Sequence, residues 1–390
     1  MIVHVRLVAQ PARGDQEACC HESAGGYHPG VPPTARASRL PDGRGARIRL
    51  QRSSRSPRVA VLGDLMVDVV VRPERSLDAG TDVPGRVTLR AGGSAANTAR
   101  WLGRLGAAVS LISAVGRDPA GRALAAAVRA DGVTPRLVRV AGRRTGRIGV
   151  IVGPGGERSF VADRAAADAL RPDDLRPAWL AGTELLHLPV YSLLGHPLGL
   201  AGRRAIELAR LAGAQISLDL ASVGPLLAGG RPAALALVGE TAPDLLFATA
   251  GEAAALLGRE GRPDRVEAAA GLDREGGGGG GSPGAGAVDA LLGLAPVVVI
   301  KRGPRGATVL ARSPGGPLRV EVPADRVAVP DTTGAGDAFD AGFILAWLAG
   351  GSGAGVARRP SPARLRQAAT AGHRAARRLL AARRPELPLL

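Results

Sequence analysis

The sequence predicts an α/β fold, a doubly wound and mostly parallel sheet with a small β layer standing off it. Three observations carry this. A short apolar run, Val59-Ala60-Val61-Leu62, ends at Gly63, the pattern of a buried strand feeding a loop at its C-terminal edge. Downstream, strand-like apolar runs alternate with Ala/Leu-rich helical stretches. One segment, 135–165, breaks that alternation with strand-like runs around Pro154-Gly155-Gly156-Glu157, a hairpin inserted into an α/β chain.

The elements follow in order. After the first strand at 59–63, strands are predicted at 108–113, 184–188, 215–219, 244–248, 296–300 and 307–311. Helices lie between them at 94–105, 120–131, 201–212, 251–258 and 335–349. A last helix opens at Ser361 with Pro362 in its first turn, and Leu365, Ala368, Ala369, Gly372, Ala375, Ala376 and Leu379 share one face. The hairpin and the segment at about 69–90 together form the small layer, either an oligomer contact or a lid over a site. Residues 1–57 mix Pro, Gly, Ser and Arg with no period of 2 or 3.6, which predicts disorder or a start codon placed too early. One domain is therefore expected over 58–390, interrupted by a flexible Gly-rich insertion at 276–286.

Composition narrows the classes. A chain of 390 residues, 45% hydrophobic and 22% charged, can bury a sizeable core. Mean hydropathy is +0.08, and no apolar run approaches the roughly 18 residues of a membrane span. The apolar start breaks at His4 and Arg6, too early for a signal peptide, so a cytoplasmic protein with no membrane partner is expected. Cys19 and Cys20 are the whole cysteine complement, which excludes a disulfide scaffold, an iron–sulfur site or a Cys-rich zinc site. The histidines show no H-E-x-x-H spacing and read as incidental.

The net charge of +17 first suggests a nucleic-acid partner. Residues 1–57 carry nine arginines against four acids, and residues 351–390 nine against one, so thirteen of the seventeen charges lie at the ends. Lys301 is the single lysine, an Arg bias that suits a GC-rich coding sequence better than a binding surface. Aromatics at 2% leave almost nothing to stack on bases, and no nucleic-acid partner is expected.

Chemistry concentrates in four stretches. In Asp331-Thr332-Thr333-Gly334-Ala335-Gly336-Asp337, small residues precede a long apolar helix. The backbone of Gly334, Ala335 and Gly336 converges its N–H groups at a helix N-terminus, where an anion belongs. Asp337 adds a carboxylate in that first turn. This makes sense where an acid must take a proton from a hydroxyl attacking a phosphate, though a favourable first-turn acid on a tight turn has the same pattern. Gly92-Gly93-Ser94-Ala95-Ala96-Asn97 opens an amphipathic helix; its glycines allow close approach of a ligand and Asn97 can bond a polyol, or the stretch is simply a loop before a helix. Asp68 lies just past the first strand, placed to grip paired hydroxyls or to serve as a loop carboxylate. Lys301, Arg302, Gly303, Pro304, Arg305 and Gly306 follow a strand in a Gly-punctuated loop that could hold a nucleotide. There is no Walker A motif, and no G-x-G-x-x-G follows the first strand.

The Gly-Gly…Asn stretch at 92–97, the Asp-Thr-Thr-Gly-Ala-Gly-Asp-Ala-Phe stretch at 331–339 and the lid-like hairpin resemble the ribokinase-like (PfkB) carbohydrate kinases. The similarity runs from about Arg58 to the last helix. It implies a three-layer α/β/α domain with a small β lid at about 69–90 and 135–165, using ATP and Mg²⁺ to phosphorylate a hydroxyl of a sugar or nucleoside. Carried over by position, Asp337 is the general base and the 334–337 backbone the anion hole. Asp68, Gly92, Gly93 and Asn97 hold the acceptor, and Lys301 to Gly306 line the nucleotide site with Gly336. In the family a Pro-Asn-x-x-Glu segment helps place Mg²⁺; here it is Ala248-Thr249-Ala250-Gly251-Glu252, keeping Glu252 with Thr249 in place of Asn. Asp331 and Thr333 match the positions that hold a monovalent cation such as K⁺ in members that use one. The resemblance also suggests a homodimer through the lid.

The expectation is thus an ATP-dependent kinase of a small sugar-like acceptor. Two alternatives stay open, an adenosine-type nucleoside kinase on the same fold and a non-catalytic sugar or nucleotide sensor.

Overall fold

Valine-, isoleucine- and leucine-rich strands of five to nine residues build the centre of the structure, a computed structural model that describes residues 56–153, 157–258, 285–325, 327, 331–349, 359–382 and 385–388. The chain divides into Met1–Leu50, which lies outside these residues, and Gln51–Leu390, which holds everything below. The N-terminal extension and the Gly-rich run 276–284 lie outside the described residues; the chain resumes in a helix at Ala285.

The main sheet has nine strands in the order β13-β12-β11-β10-β9-β8-β1-β4-β5. They are β1 (Arg58–Leu62), β4 (Ala108–Gly116), β5 (Val133–Val140), β8 (Leu185–Pro189), β9 (Gln215–Asp219), β10 (Leu245–Thr249), β11 (Val297–Lys301), β12 (Ala307–Ala311) and β13 (Leu318–Val322). Seven pair in parallel, β12 alone runs against them, and β13 pairs antiparallel with β12, the mostly parallel sheet that was expected. Alternate residues of the central strands enter two separate cores. Val59, Val61, Val109, Leu111, Phe247 and Val299 pack under α1 (Ser94–Arg104), α2 (Pro119–Ala130), α8 (Ala335–Ala349) and α9 (Pro362–Ala381). Ala60, Leu62, Ile112, Leu218, Leu246 and Val298 pack under α3 (Leu198–Leu211), α4 (Val223–Leu227), α5 (Arg231–Thr241), α6 (Ala250–Leu256) and α7 (Ala285–Leu294). Burial on both faces is why these strands read as continuous apolar runs rather than alternating ones.

A second sheet, β3-β2-β6-β7, forms the small layer from β2 (Met66–Pro73), β3 (Gly85–Gly92), β6 (Arg147–Val152) and β7 (Arg158–Asp163). The lid is therefore narrower than the 135–165 expectation. Val133–Val140 pairs in parallel with β4 at the edge of the main sheet, because its residues continue the α2 crossover before the chain turns into the lid. The antiparallel β13 and the α4–α5 pair are further elements that the alternation did not reveal. No helix among the described residues is long and apolar enough to cross a membrane.

Candidate active site

A cavity of about 850 Å³ opens at the C-terminal edge of the main sheet, where ligands of open α/β sheets sit, and beneath the lid. Asp68, Gly93, Ser94 and Asn97 line it with the lid residues Ile148, Val150, Phe160 and Ala162. The other end is lined by Gly303, Pro304, Gly306, Ala324, His373 and Arg377. Between them lie Thr332 to Asp337, Lys301, Asp219 and Glu252.

Asp337 stands in the first turn of α8, and its partners come from α1. Ser94 Oγ donates to its Oδ1 at 2.8 Å and Asn97 Nδ2 to its Oδ2 at 3.0 Å. Ser94 and Asn97 are three residues apart on a helix, so they present donors on one face. Burial pushes the Asp337 carboxyl up to about 7, the Ser94 bond pulls it down, nearby Asp219 adds to the rise, and Asn97 and Lys301 oppose it. A carboxylate that titrates near neutrality, held by neutral donors, suits a general base. Gly334 bends the loop with φ of 73°, a conformation that a side chain resists. Ala335 N–H closes onto the Thr332 carbonyl at 3.1 Å. Of the N–H groups expected to face an anion, that of Ala335 is thus taken, and the first-turn N–H groups that follow it lack intrahelical acceptors.

Lys301, at the end of β11, is the cation beneath that turn. Its ammonium donates to Asp219 Oδ1 and Asp340 Oδ2, each at 3.0 Å. Burial alone would push the ammonium down; Asp219, Asp340 and Glu252 outweigh it and hold the charge firmly. A Cβ on Gly336 would come within 3.5 Å of Lys301 Nζ, so the ammonium lies close beside this turn. Asp340, with no exposed surface, is raised well above the ordinary carboxylate range by burial while Lys301 pulls it back.

At the lid end of the cavity Asp68 lies so close to Gly92 that a Cβ there would overlap its carboxylate. Gly92 thus makes room for Asp68 and does not itself line the cavity. Asn97 lines the cavity and also anchors Asp337, a role beyond the acceptor contact expected of it. Arg164 lines the same end, bound to Asp168 at 2.6 Å, 3.5 Å from Asp64 and 5.2 Å over the Tyr191 ring.

At the other end of the cavity the loop expected to hold a nucleotide divides. Lys301, Gly303, Pro304 and Gly306 line the cavity; Arg302 and Arg305 do not, and Arg302 lies 3.6 Å from Glu321 on β13. Thr249 and Glu252 both line it, and they form a capping box: Glu252 N–H donates to Thr249 Oγ1 at 3.2 Å, and Thr249 N–H to Glu252 Oε2 at 2.7 Å. Threonine thereby keeps the helix-capping property of the asparagine it replaces. Burial and Asp219 push the Glu252 carboxyl up, against Lys301 and its own cap.

Asp219 and Glu252 are two oxygen donors on one wall of the cavity. That set fits Mg²⁺, which keeps several waters and binds through one or two carboxylates plus substrate phosphates. No dedicated cage of three or more ligating side chains exists among the described residues. Asp331 and Thr333 differ from the monovalent-cation expectation. Asp331 is engaged by arginines of the lid, and Thr333 N–H donates to Asp331 Oδ1 at 3.0 Å.

The residues that sequence alone missed are Ser94, Asp219, Asp340, Arg164 and His373. Ser94 had a signal in its three-residue spacing to Asn97, and Asp219 had one as the acid ending a parallel strand. His373, read as incidental, lines the cavity with its Nε2 3.2 Å from the Val322 carbonyl.

A doubly wound sheet, a small β lid, an acid in the first turn of a helix and a lysine beside that turn meet at one cavity. The chain belongs to the pfkB family of carbohydrate kinases, whose family model matches residues 56–377. It is 31% identical over 164 residues to probable fructokinase-4 of Arabidopsis thaliana, covering 41% of this chain and 49% of the relative. It is 32% identical over 165 residues to a fructokinase of Klebsiella pneumoniae, covering 42% of this chain and 50% of the relative. These matches span about half the length of the curated relatives. Adenosine kinase from Sinorhizobium meliloti superposes with a TM-score of 0.67 at 23% identity, over 86% of this chain and 98% of that one. A probable sugar kinase from Rhizobium etli gives 0.66 at 23%, over 85% and 96%; both show the shared fold.

Proposed function

We propose that this protein transfers the γ-phosphoryl group of ATP to a hydroxyl of a small sugar. The observation that carries the proposal is Asp337, a carboxylate raised to about 7, facing the cavity from the helix turn whose N–H groups await an anion. Family membership and the fructokinase relatives support a sugar as acceptor.

The acceptor lies under the lid, with Asp68, Gly93 and Asn97 on its hydroxyls. Asp337 takes the proton from the attacking hydroxyl at Oδ1 or Oδ2 while Ser94 and Asn97 keep the carboxylate aimed. The first-turn N–H groups of α8 and the Lys301 charge below them stabilise the transferred phosphoryl. The nucleotide rests between Gly303, Pro304, Gly306 and the α9 residues His373 and Arg377. Asp219 and Glu252 would hold Mg²⁺, which when bound neutralises phosphate charge. The apolar lid residues Ile148, Val150 and Phe160 exclude water, the competing acceptor. The lid face turned away from the cavity exposes Val87 (63%) and Val161 (64%), which supports a homodimer through the lid. Use of ATP supports a cytoplasmic location.

The test is ADP release with Mg-ATP against sugars, sugar phosphates, sugar acids and nucleosides, for the native chain and Asp337→Asn. Acceptor-dependent ADP is expected with a sugar, falling by about a thousandfold in the variant while ATP affinity is kept. A nucleoside as best acceptor would overturn the sugar assignment. Tight ATP binding with no ADP from any acceptor would make the protein a sensor.

A further inference from the structure

Three strands of the lid converge on one carboxylate of the body. Arg72 of β2 reaches Asp331 Oδ2 at 2.7 Å and Arg90 of β3 reaches the same oxygen at 3.0 Å. Arg158 of β7 stands 3.7 Å from Oδ1 and donates to Thr332 Oγ1 at 2.9 Å. Strand register explains the convergence. Arg72 lies on the face of β2 that carries Asp68, Arg90 is directly opposite Asp68, and Arg158 is opposite Val152 on the same side of the lid. The Asp331 side chain is only 13% exposed, and the Nε atoms of all three arginines are buried without a hydrogen-bond partner. The Arg90 and Arg158 side chains are 18% and 16% exposed, so two of the three guanidinium groups are largely shielded from solvent beside this carboxylate.

Such a site does not fit a monovalent cation. Potassium takes oxygen ligands, whereas the Asp331 oxygens face nitrogen donors that carry charge at every pH the protein meets. A cation seated on Asp331 would stand within a few ångströms of three guanidinium groups and be repelled by each.

We propose that Arg72, Arg90 and Arg158 take the place of that cation, so that Asp331 is a positioning residue that couples lid closure to the anion-hole loop. The inference rests on the kinase assignment of the site. With the lid down, Asp331 is neutralised, its Oδ1 holds Thr333 N–H, and Thr332 is pinned by Arg158, which sets the approach to Gly334. With the lid up, these contacts break together and the turn that receives the phosphoryl group loses its support. The protein is thereby independent of K⁺.

The test compares the full chain with Arg72→Gln/Arg158→Gln in chloride salts of K⁺, Na⁺ and N-methylglucamine at one ionic strength. The native chain is expected to turn over equally in all three. The double variant should lose about tenfold in kcat with a smaller change in KM for ATP, and regain turnover in K⁺ but not in N-methylglucamine. Marked K⁺ activation of the native chain, or a double variant with native kcat in N-methylglucamine, would overturn the proposal. Thermal melting in the same salts reads the claim without turnover. Equal melting of the native chain supports it, and a K⁺-specific rise contradicts it. Should no acceptor yield ADP, the kinase assignment fails while the melts still decide the cation question.

Discussion

Asp331 and Asp337 stand at the two ends of one loop, and the structure treats them in opposite ways. Asp331 meets three guanidinium groups of the lid, while Asp337 meets a hydroxyl and an amide of α1. Arginine cannot give up its charge, so the first pairing is fixed electrostatically and breaks only if the lid moves. Serine and asparagine steady a carboxylate without cancelling its charge. The push of burial on Asp337 therefore survives, and its carboxyl is left near 7. One residue type becomes structural with charged partners and chemical with neutral ones.

The largest effect that sharpens this contrast is expected at Lys301, the cation shared by the network behind Asp337. Lys301→Ala strands Asp219 and the fully buried Asp340 without a counter-charge, and should cost about 3–5 kcal/mol of stability in a urea titration. A native midpoint would show that Asp340 simply takes up a proton and that the lysine is not needed for the fold.

Ser94→Ala removes a hydrogen bond to Asp337 and is smaller. The Ser94 bond lowers the Asp337 carboxyl, so losing it moves the acid limb of kcat/KM to higher pH. Turnover near neutrality should fall by about tenfold and recover in more alkaline buffer. Lost turnover with an unmoved limb would confine Ser94 to packing.

How much of this was legible follows from what kind of contact made it. The sheet order rests on apolar runs and crossovers, which are local patterns, and the central strands lie where those patterns put them. Residues 135–140 went to the lid in the sequence and belong to the main-sheet strand Val133–Val140 in the structure, because Arg alternating with apolar residues suits either edge. Asp337 was legible because an acid in a Gly-Ala-Gly turn is a backbone signature. Its partners were not, since Ser94 and Asn97 meet it only through the packing of α1 against α8. Thr249 looked like a lost asparagine until its capping box appeared. The arginines at 72, 90 and 158 were submerged in a chain rich in arginine, and only strand register brings them to one carboxylate.

The most direct measurement of the central claim is the pH dependence of kcat/KM for the native chain with its best acceptor. With Asp337 as the base, the rate should be low when its carboxyl is protonated and rise through about pH 7 to a plateau. Asp337→Asn should show a small residual rate with no such limb. A native profile flat from pH 5 to 8, or the same limb persisting in the variant, would contradict Asp337 as the group that takes the acceptor's proton.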